Sequence, residues 1–436
     1  MIAERPSQRR RANDHQEPVA PPARPPVVVD EASLPIAVPP EADLTYADLV
    51  QRAPPRDPVA EEYQPKLTQA IYQPTHVQVA DAQGRIVNDT TTPGAPPPIC
   101  LVAAGDNATH AYAFLPDSKP IRLKHAPNWG EVRFAVVYSR HANDAPGVFR
   151  APDPRKGTPS YVAIKMLNKA VVDQHLAAGG RENPYKEICR CQALGDNIHV
   201  IMCEALQDDE RLYMITPKGK PLVDQIFSRR TPLPAAQVHA YVLQMLRILV
   251  YLAKHDIHHR DLSPDNLFIL PNGQLVLTDM AMSLKIPRDA NNQRILLKDQ
   301  GTFGTAAWMA PEIFHRFPFD GVTADLWCVM HIAYNCLTGH LLYRRPHPTD
   351  WSYLFFVIAG GLTADALNEQ AMEVLQDLSE HGEAQDLQRI QEQAMAHMAF
   401  GPRVREFLSR VLTNAPHERW NLGQVLRSDY VVHGPD

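Results

Sequence analysis

The sequence predicts an α+β fold in which a small, sheet-rich lobe precedes a larger and mostly helical lobe. Strand-like runs come first and helical runs dominate from Ala235 onward, an order that favours α+β over an alternating architecture. Proline and glycine interrupt the chain at 217–221, which places the boundary between the lobes there. A cleft between lobes is a common place for a ligand. The strand-like runs are 133–138, 161–166, 200–204 and 212–216.

The composition is that of an ordinary globular chain. Of 436 residues, 44% are hydrophobic and 21% charged, and the net charge of −6 predicts no nucleic-acid partner. The six cysteines form no CxxC pair, which favours reduced thiols in the cytoplasm. The nucleus is the alternative location, because the tail carries Arg9-Arg10-Arg11. No run approaches the ~18 apolar residues of a membrane span, so no membrane partner is expected.

Proline separates an N-terminal region from the rest of the chain. Of the 40 prolines, 18 lie in the first 100 residues, and each one removes a backbone donor and fixes φ. Residues 1–60 are therefore predicted to be a disordered, Pro-rich tail. Residues 61–114 contain short apolar runs and are interpreted as a linker or N-terminal extension without an assigned function.

The most specific chemistry lies in a string that follows an apolar helix. The string is His258-His259-Arg260-Asp261-Leu262-Ser263-Pro264-Asp265-Asn266. It resembles the H-R-D-L-x-x-x-N catalytic loop of eukaryotic-type protein kinases. The resemblance implies that Asp261 accepts the proton of the acceptor hydroxyl. It also implies that Asn266 holds a Mg²⁺ ion that bridges phosphates.

A second metal ligand is expected on the strand that follows this loop. Asp279, in Leu277-Thr278-Asp279-Met280-Ala281, matches the position of that ligand in the family. The short apolar runs 267–270 and 275–277 predict a hairpin between the two motifs. This hairpin would bring Asn266 and Asp279 to the same edge.

A candidate phosphate-binding lysine lies upstream. The string Tyr161-Val162-Ala163-Ile164-Lys165 resembles the V-A-I-K strand of the family, whose lysine pairs the α- and β-phosphates. Such a lysine needs a carboxylate to hold it. Glu187, in a stretch with helical spacing, is the best match to that partner.

Four downstream features keep the order of the family. Ala310-Pro311-Glu312 matches A-P-E, and the stretch 301–309 resembles the end of an activation segment in serine/threonine kinases. Asp325 opens a long apolar helix, as in the central helix of the family. Arg419 resembles the buried partner of Glu312. The resemblance extends over about 300 residues with its motifs in the order of the family.

The resemblance implies a bilobal kinase fold over residues 115–432. A small sheet lobe with one main helix would occupy 115–217, and a larger helical lobe would occupy 218–432. ATP and Mg²⁺ are the expected cofactors, and protein substrates and an upstream kinase are the expected partners. The nucleotide-binding residues carried over from the family are Gly130, Ala163, Lys165, Thr216, Pro217, Gly219 and Phe268.

The same resemblance predicts how the activation segment, residues 279–312, is regulated. Arg260, beside Asp261, would bind a phosphate on this segment, and a charge-assisted contact of that kind orders a loop. Thr302 is the preferred phosphorylation site. Thr305 is expected to hydrogen-bond near Asp261 and to help select serine or threonine acceptors.

Three departures from the family pattern leave two functions open. The stretch that matches the Gly-rich loop keeps only Gly130, Ala281 replaces the glycine of D-F-G, and Ser263 stands where serine/threonine kinases often carry a lysine. The favoured function is an active, Mg²⁺/ATP-dependent serine/threonine protein kinase, because the lysine, base and metal positions are intact. The alternative is a pseudokinase that acts as a scaffold or allosteric partner, with or without bound nucleotide.

Overall fold

The structure, a computed structural model, describes most of the chain beyond residue 35. The predicted tail residues 1–35 and Thr302 lie outside the described residues. The described ranges are 36–51, 63–72, 78–80, 99–105, 108–116, 119–123, 128–141, 143–145, 147–152, 160–195, 197–200, 204–229, 231–298, 301, 303–358, 369–381 and 384–436.

Within these ranges, the small lobe is built on one ten-stranded sheet. The predicted strands at 133–138, 161–166 and 212–216 are confirmed. Of the strand predicted at 200–204, residues 201–203 lie outside the described residues, and Glu204 opens β9. The strands are β1 Thr68–Tyr72, β2 Gln78–Ala80, β3 Cys100–Ala103, β4 His110–Phe114, β5 Ile121–Arg122, β6 Gly130–Ser139, β7 Val148–Arg150, β8 Tyr161–Asn168, β9 Glu204–Gln207 and β10 Arg211–Pro217.

Strand β8 lies between β6 and β10, and both pairings are antiparallel. Val132 of β6 lies opposite Lys165, and Thr216 of β10 lies opposite Ala163. These registers place the candidate phosphate-binding lysine and two candidate nucleotide contacts on neighbouring strands.

The N-terminal strands belong to the same sheet. β4 pairs with β6, β3 with β4, and β1 pairs with β3 and, in parallel, with β9. The described part of 61–114 is therefore an N-terminal extension of this sheet rather than a linker, and the small-lobe sheet already includes β1, before residue 115. These strands cover the edges of β6 and β9, which would otherwise present unpaired backbone groups.

The sheet separates two apolar clusters, because side chains alternate between its faces. On β10, Leu212 and Met214 pack with Ile188 of the small-lobe helix, whereas Tyr213 and Ile215 pack with residues of the N-terminal strands. The small lobe contains two described helices where one main helix was predicted. They are α2 Lys169–Ala177 and α3 Pro184–Leu194, numbered after α1 Tyr46–Val50.

Helices make up most of the large lobe, as predicted. The long helix Ala235–Lys254 packs on Gly321–Thr338, whose residues are nearly all buried. Among the described helices, Ala235–Lys254 alone is long and apolar enough to cross a membrane, but half of it is buried within the fold. The helices are α4 Leu222–Arg229, α5 Ala235–Lys254, α6 Pro311–Phe314, α7 Gly321–Thr338, α8 Trp351–Ile358, α9 Glu369–His381, α10 Ala384–Met398, α11 Pro402–Ser409, α12 Leu422–Leu426 and α13 Asp429–His433.

Short strands shape the cleft side of the large lobe. The predicted hairpin is confirmed, with Leu267–Ile269 antiparallel to Leu275–Leu277. The strands are β11 Lys220–Pro221, β12 Ile257–His258, β13 Leu267–Ile269, β14 Leu275–Leu277 and β15 Leu284–Lys285. β11 pairs with β13, and β12 pairs with β15.

Residues 36–51, here called the strap, are folded onto the large lobe. A 3₁₀ helix at Pro40–Asp43 precedes α1, whose first turn carries a capping box between Thr45 and Asp48. Ala42 and Leu49 are buried. The prediction of disorder for 1–60 is therefore wrong for the strap. Proline is tolerated in the first turn of a helix, so a Pro-rich stretch can still be ordered.

Candidate active site

A buried ion pair joins the small-lobe sheet to α3. The Nζ atom of Lys165 on β8 lies 3.4 Å from Oε2 of Glu187. The Asn183 side chain caps α3 by accepting a hydrogen bond from Lys186 N, and Pro184 occupies its first turn. This cap sets Glu187 in the first turn, facing the sheet. The predicted pairing of Lys165 with Glu187 is present in the structure.

Burial and the neighbouring charges shift the pKa values of both residues of this pair. Burial raises the pKa of Glu187 to about 7, although Lys165 opposes the change. Burial alone would lower the pKa of Lys165, but the carboxylates of Glu187 and Asp279 outweigh it and raise that pKa. Lys165 is therefore a permanent cation, and Glu187 is the member of the pair that titrates near neutrality.

Activity and stability should respond to Glu187 in opposite directions. Below about pH 7 a protonated Glu187 no longer balances Lys165, so kcat/KM for ATP should fall. The folded-state pKa lies above the ordinary value of 4.5. The folded state therefore binds the extra proton, and the stability contributed by this proton is lost as pH rises through about 7.

The matched variant is Glu187→Gln, which has no titrating carboxyl group at this position. We expect the wild-type to variant ratio of kcat/KM for ATP to fall toward one as the pH drops from about 8.5 to about 5.5. Wild type should also lose unfolding free energy relative to the variant as pH rises over the same range. A constant activity ratio would contradict the assignment of Glu187 as the titrating partner.

Hydrogen bonds hold the catalytic loop against the activation segment at Asp261. The Oδ1 atom of Asp261 accepts from Thr305 N at 2.9 Å and from Thr305 Oγ1 at 3.1 Å. The Nδ2 atom of Asn266 donates to the Asp261 carbonyl at 2.8 Å. Burial raises the pKa of Asp261, with His259 and the Thr305 donors opposing the change. The expected hydrogen bond of Thr305 near Asp261 is present.

Asp325 positions the backbone of this loop, a role that the sequence interpretation missed. Its carboxylate accepts from His259 N at 2.8 Å and Arg260 N at 3.4 Å, and lies 3.0 Å from His258 Nδ1. Burial alone would raise the pKa of Asp325, but His258 and the His259 donor outweigh it and lower the pKa. The sequence does carry a signal for this role: Asp325 is a carboxylate in an otherwise apolar helix, and a buried charge needs partners.

Asn266 and Asp279 meet at one edge, as the hairpin predicts. Thr278 N donates to the Asn266 carbonyl at 2.9 Å, and Thr278 O lies 3.2 Å from His259 Nε2. Asp279 has φ of 63°, an uncommon left-handed conformation for a non-glycine residue. Such strain is typical of residues whose side-chain direction is fixed for function.

The two residues after Asp279 pack without displacing the edge at which Asn266 and Asp279 meet. Met280 is fully buried in the core of the large lobe, where methionine fills the apolar slot. Ala281 is also fully buried, and its N–H lies 3.3 Å from Asp279 Oδ1. Alanine in place of glycine is therefore compatible with a well-placed Asp279.

The donor set at this edge fits Mg²⁺. Asn266 turns its amide nitrogen to the Asp261 carbonyl, so its amide oxygen is the atom that can face a cation. Asp279 supplies a carboxylate. The described residues contain no cluster of three or more His, Cys, Asp or Glu side chains that would hold a metal alone. Mg²⁺ is commonly held by one or two carboxylates together with substrate phosphates, which matches this arrangement.

The candidate nucleotide-binding residues line the cleft side of both lobes. Ala163 and Thr216 are cross-strand neighbours, with Thr216 Oγ1 lying 3.4 Å from the Ala163 carbonyl. Pro217 ends β10, and Gly219 then packs against Phe268 of β13. All five residues are half-buried. The structure thus brings these five of the seven candidate nucleotide-binding residues together.

Gly130 has a packing role that the sequence interpretation did not foresee. A Cβ atom there would lie 1.8 Å from the Met166 carbonyl oxygen, so only glycine lets β6 approach β8 so closely. Residues 124–127 of the matching loop lie outside the described residues. Trp129, next to Gly130, is buried with Ile188 of α3.

Arg260 faces the activation segment through an aromatic ring. Its guanidinium lies 3.5 Å from the centroid of the Phe303 ring, and that of Arg181 lies 4.6 Å from the same centroid. Burial and the nearby Arg181 lower the pKa of Arg260 to about 10. Thr302 is the residue before Phe303 but lies outside the described residues, so its phosphorylation stays a prediction.

Glu312 and Arg419 form a buried, two-point ion pair. Arg419 Nη1 and Nη2 donate to the two Glu312 oxygens at 2.6 and 2.9 Å. The Arg419 Nε atom donates to the Thr413 carbonyl at 2.9 Å, and the guanidinium lies 4.3 Å from the Trp327 ring centroid. The predicted partner of Glu312 is present, and it fixes the end of the activation segment to the large lobe.

Comparison with known families agrees with this geometry. Residues 154–431 match the family described as protein kinase domain. The match covers the large lobe and the small lobe from residue 154 onward, and it includes every candidate catalytic and metal-binding residue. The chain belongs to the protein kinase family.

Several plant protein kinases are similar to this chain. CBL-interacting protein kinase 15 of Oryza sativa subsp. japonica is 28% identical over 188 residues, covering 43% of this chain and 42% of that protein. CBL-interacting serine/threonine-protein kinase 26 of Arabidopsis thaliana is 29% identical over 189 residues, covering 43% and 41%. CBL-interacting protein kinase 2 of Oryza sativa subsp. japonica is 30% identical over 223 residues, covering 51% and 45%. The matched region spans less than half the length of these relatives.

Proposed function

We propose that this protein transfers the γ-phosphate of ATP to serine or threonine hydroxyls of protein substrates, with Mg²⁺ as cofactor. The observation that carries the proposal is the assembled site. Asp261 is held by Asn266 and Thr305, and the Lys165–Glu187 pair is closed across the small lobe. Phosphoryl transfer depends mainly on positioning and charge, so a preorganised set of these groups is what the reaction requires.

Each residue has a distinct task in this proposal. Asp261 accepts the hydroxyl proton of the acceptor, and Lys165 pairs the α- and β-phosphates. The Pro217 carbonyl and the Gly219 N–H bind the adenine edge, with Thr216 at the back of the pocket. Mg²⁺, when bound at Asn266 and Asp279, would neutralise charge on the phosphates. Asp279 also raises the pKa of Asp261, which is consistent with their shared edge.

Thr305 supports a serine/threonine acceptor. The Thr305 N–H and hydroxyl both donate to the Asp261 Oδ1 atom, which places this part of the activation segment beside the proposed base. The relatives named above include serine/threonine-protein kinases, which agrees with this acceptor class. Protein substrates, an upstream kinase and a cytoplasmic location complete the proposal.

The pseudokinase alternative is disfavoured by the same contacts. Ala281 leaves Asp279 in place, and Ser263 is buried with its carbonyl accepting from Asn266 N at 3.1 Å. Neither of these two departures therefore disrupts the catalytic loop or displaces Asp279. Because Ser263 replaces a lysine of the family, one charge near the phosphate is missing, which would slow the transfer.

Transfer of labelled phosphate from ATP tests the proposal. The full chain is incubated with labelled ATP and either Mg²⁺ or EDTA, with a basic protein and the chain itself as acceptors. We expect label on serine or threonine only when Mg²⁺ is present, together with a Mg²⁺-dependent rise in Tm with ATP. No label, even after treatment with an activating kinase, would reject the proposal, and ATP binding without transfer would favour the pseudokinase.

A further inference from the structure

Arg288 connects the strap to the first half of the activation segment. Its guanidinium donates to both carboxylate oxygens of Glu41, at 2.7 and 3.1 Å, and to the carboxylate of Asp256 after α5. It also donates to the Asn292 carbonyl at 2.7 Å, which closes a turn within the segment. One side chain thus ties three stretches of chain together, and Glu41 is one of its two anionic partners.

A second contact reaches the chain that follows the activation segment. Tyr46 Oη donates to the Pro318 carbonyl at 3.1 Å. The next residue, Phe319, exchanges two backbone hydrogen bonds with Leu297 of the segment, at 2.7 and 3.0 Å. The strap therefore holds the segment directly through Arg288 and indirectly through the backbone that pairs with Leu297.

The strap has its own anchor on the large lobe, away from the activation segment. Asn421 Nδ2 donates to the Asp43 carbonyl at 2.9 Å, and the Asp43 carboxylate pairs with Arg427. Gly423 lets the strap approach α12, because a Cβ there would lie 3.0 Å from the Ala42 carbonyl oxygen. These contacts fix the strap to the large lobe independently of the activation segment.

Packing alone does not fix the strap against the segment. A cavity of about 280 Å³ lies beside the contact, lined by Glu41 and Ala42 of the strap, by Arg288 and Arg294 of the segment, and by large-lobe residues that include Ala253, Val322 and Leu422. Where apolar contact is incomplete, directional hydrogen bonds and charge determine position, and charge-assisted two-point contacts are the stronger ones. The Glu41–Arg288 contact is of this type, and the Arg288 side chain is 23% exposed.

We propose that the strap is an intramolecular clamp that positions the activation segment for catalysis, with Glu41 and Tyr46 as its positioning residues. The clamp rests on the proposed phosphoryl transfer. It acts on the same segment whose far end places Thr305 against Asp261. Releasing Arg288 and Pro318 should loosen the segment and reduce the fraction of molecules in which Thr305 meets the base.

The double variant Glu41→Gln/Tyr46→Phe tests the clamp in the full chain. It removes one charge and one hydroxyl while keeping both shapes. By amide hydrogen exchange, we expect residues 286–297 to exchange about tenfold faster than in wild type, because partly buried charge-assisted bonds hold them. The value of kcat should fall several-fold, and KM for ATP should not change, because neither residue lies near the nucleotide site.

Asp43→Asn is the matched control: it removes a strap carboxylate whose ion pair is with Arg427, just after α12, rather than with the segment. That pair is about half exposed (52% and 56%) and contributes little, and the Asp43 carbonyl keeps its contact with Asn421, so the strap stays anchored. It should leave exchange in 286–297 and kcat at wild-type values. Unchanged exchange in the double variant, an equal acceleration in Asp43→Asn, or faster exchange with unchanged kcat would each overturn the clamp. If wild type transfers no phosphate, the proposed function fails, and exchange in 286–297 alone still decides whether the strap holds the segment.

Discussion

The Asp261→Asn variant should lose phosphate transfer by about a hundredfold to ten-thousandfold, the contribution of a positioned general base. The amide oxygen can still accept from Thr305 N and Oγ1, so the activation segment should stay docked. Burial already raises the pKa of Asp261, so a neutral amide removes a costly charge without costing stability. The measurements are initial rates with labelled ATP, and Tm with and without Mg²⁺-ATP.

Asp265→Asn is the control for this variant. Asp265 lies in the same loop but is exposed, so its replacement removes an equal charge without touching the proposed base. It should keep most of the wild-type rate. If Asp261→Asn retained more than about a tenth of wild-type transfer with an unchanged Tm, another group would have to accept the proton.

The sequence predicts the chemical centre well because the reaction fixes local spacing. Asp261 and Asn266 lie on one loop, and the hairpin that follows carries Asp279 back to them. The ion pair of Lys165 with Glu187 was also predictable, because a lysine in this position needs a carboxylate and the resemblance to the family points to Glu187, on the second helix after the strand. A short stretch of chain determines the geometry of the loop and hairpin. The need of one cation for a counterion determines that of the ion pair.

The parts that the sequence did not predict depend on distant partners. Strands β1, β3 and β4 contain four or five residues each and join the sheet by pairing with one another and with β6 and β9, while the three-residue β2 pairs with β7. Strand propensity is strongly context-dependent, so such short runs carry a weak local signal. The strap was predicted as disordered from its prolines, yet Leu49 is buried and Asn421 holds the backbone of Asp43. Tertiary contacts outweigh local composition in both places.

The Glu312→Gln variant should be destabilised by about 3–5 kcal/mol, the usual cost of removing one partner from a buried ion pair. Arg419 is held by the Thr413 carbonyl and lies over Trp327, so its guanidinium cannot turn to water when the carboxylate is lost. A loss of this size is large against a typical total of about 5–15 kcal/mol. Urea unfolding monitored by tryptophan fluorescence gives the change in unfolding free energy.

Two further variants separate the charge effect from local packing. Glu418→Gln changes a carboxylate next to Arg419 that is 62% exposed, and its unfolding midpoint should match wild type. The double variant Glu312→Leu/Arg419→Met removes both charges and should recover much of the loss, because no guanidinium is left buried without a counterion. A wild-type midpoint for Glu312→Gln would contradict the prediction. A double variant less stable than Glu312→Gln would mean that the shape of the pair, rather than its charge balance, stabilises the end of the activation segment.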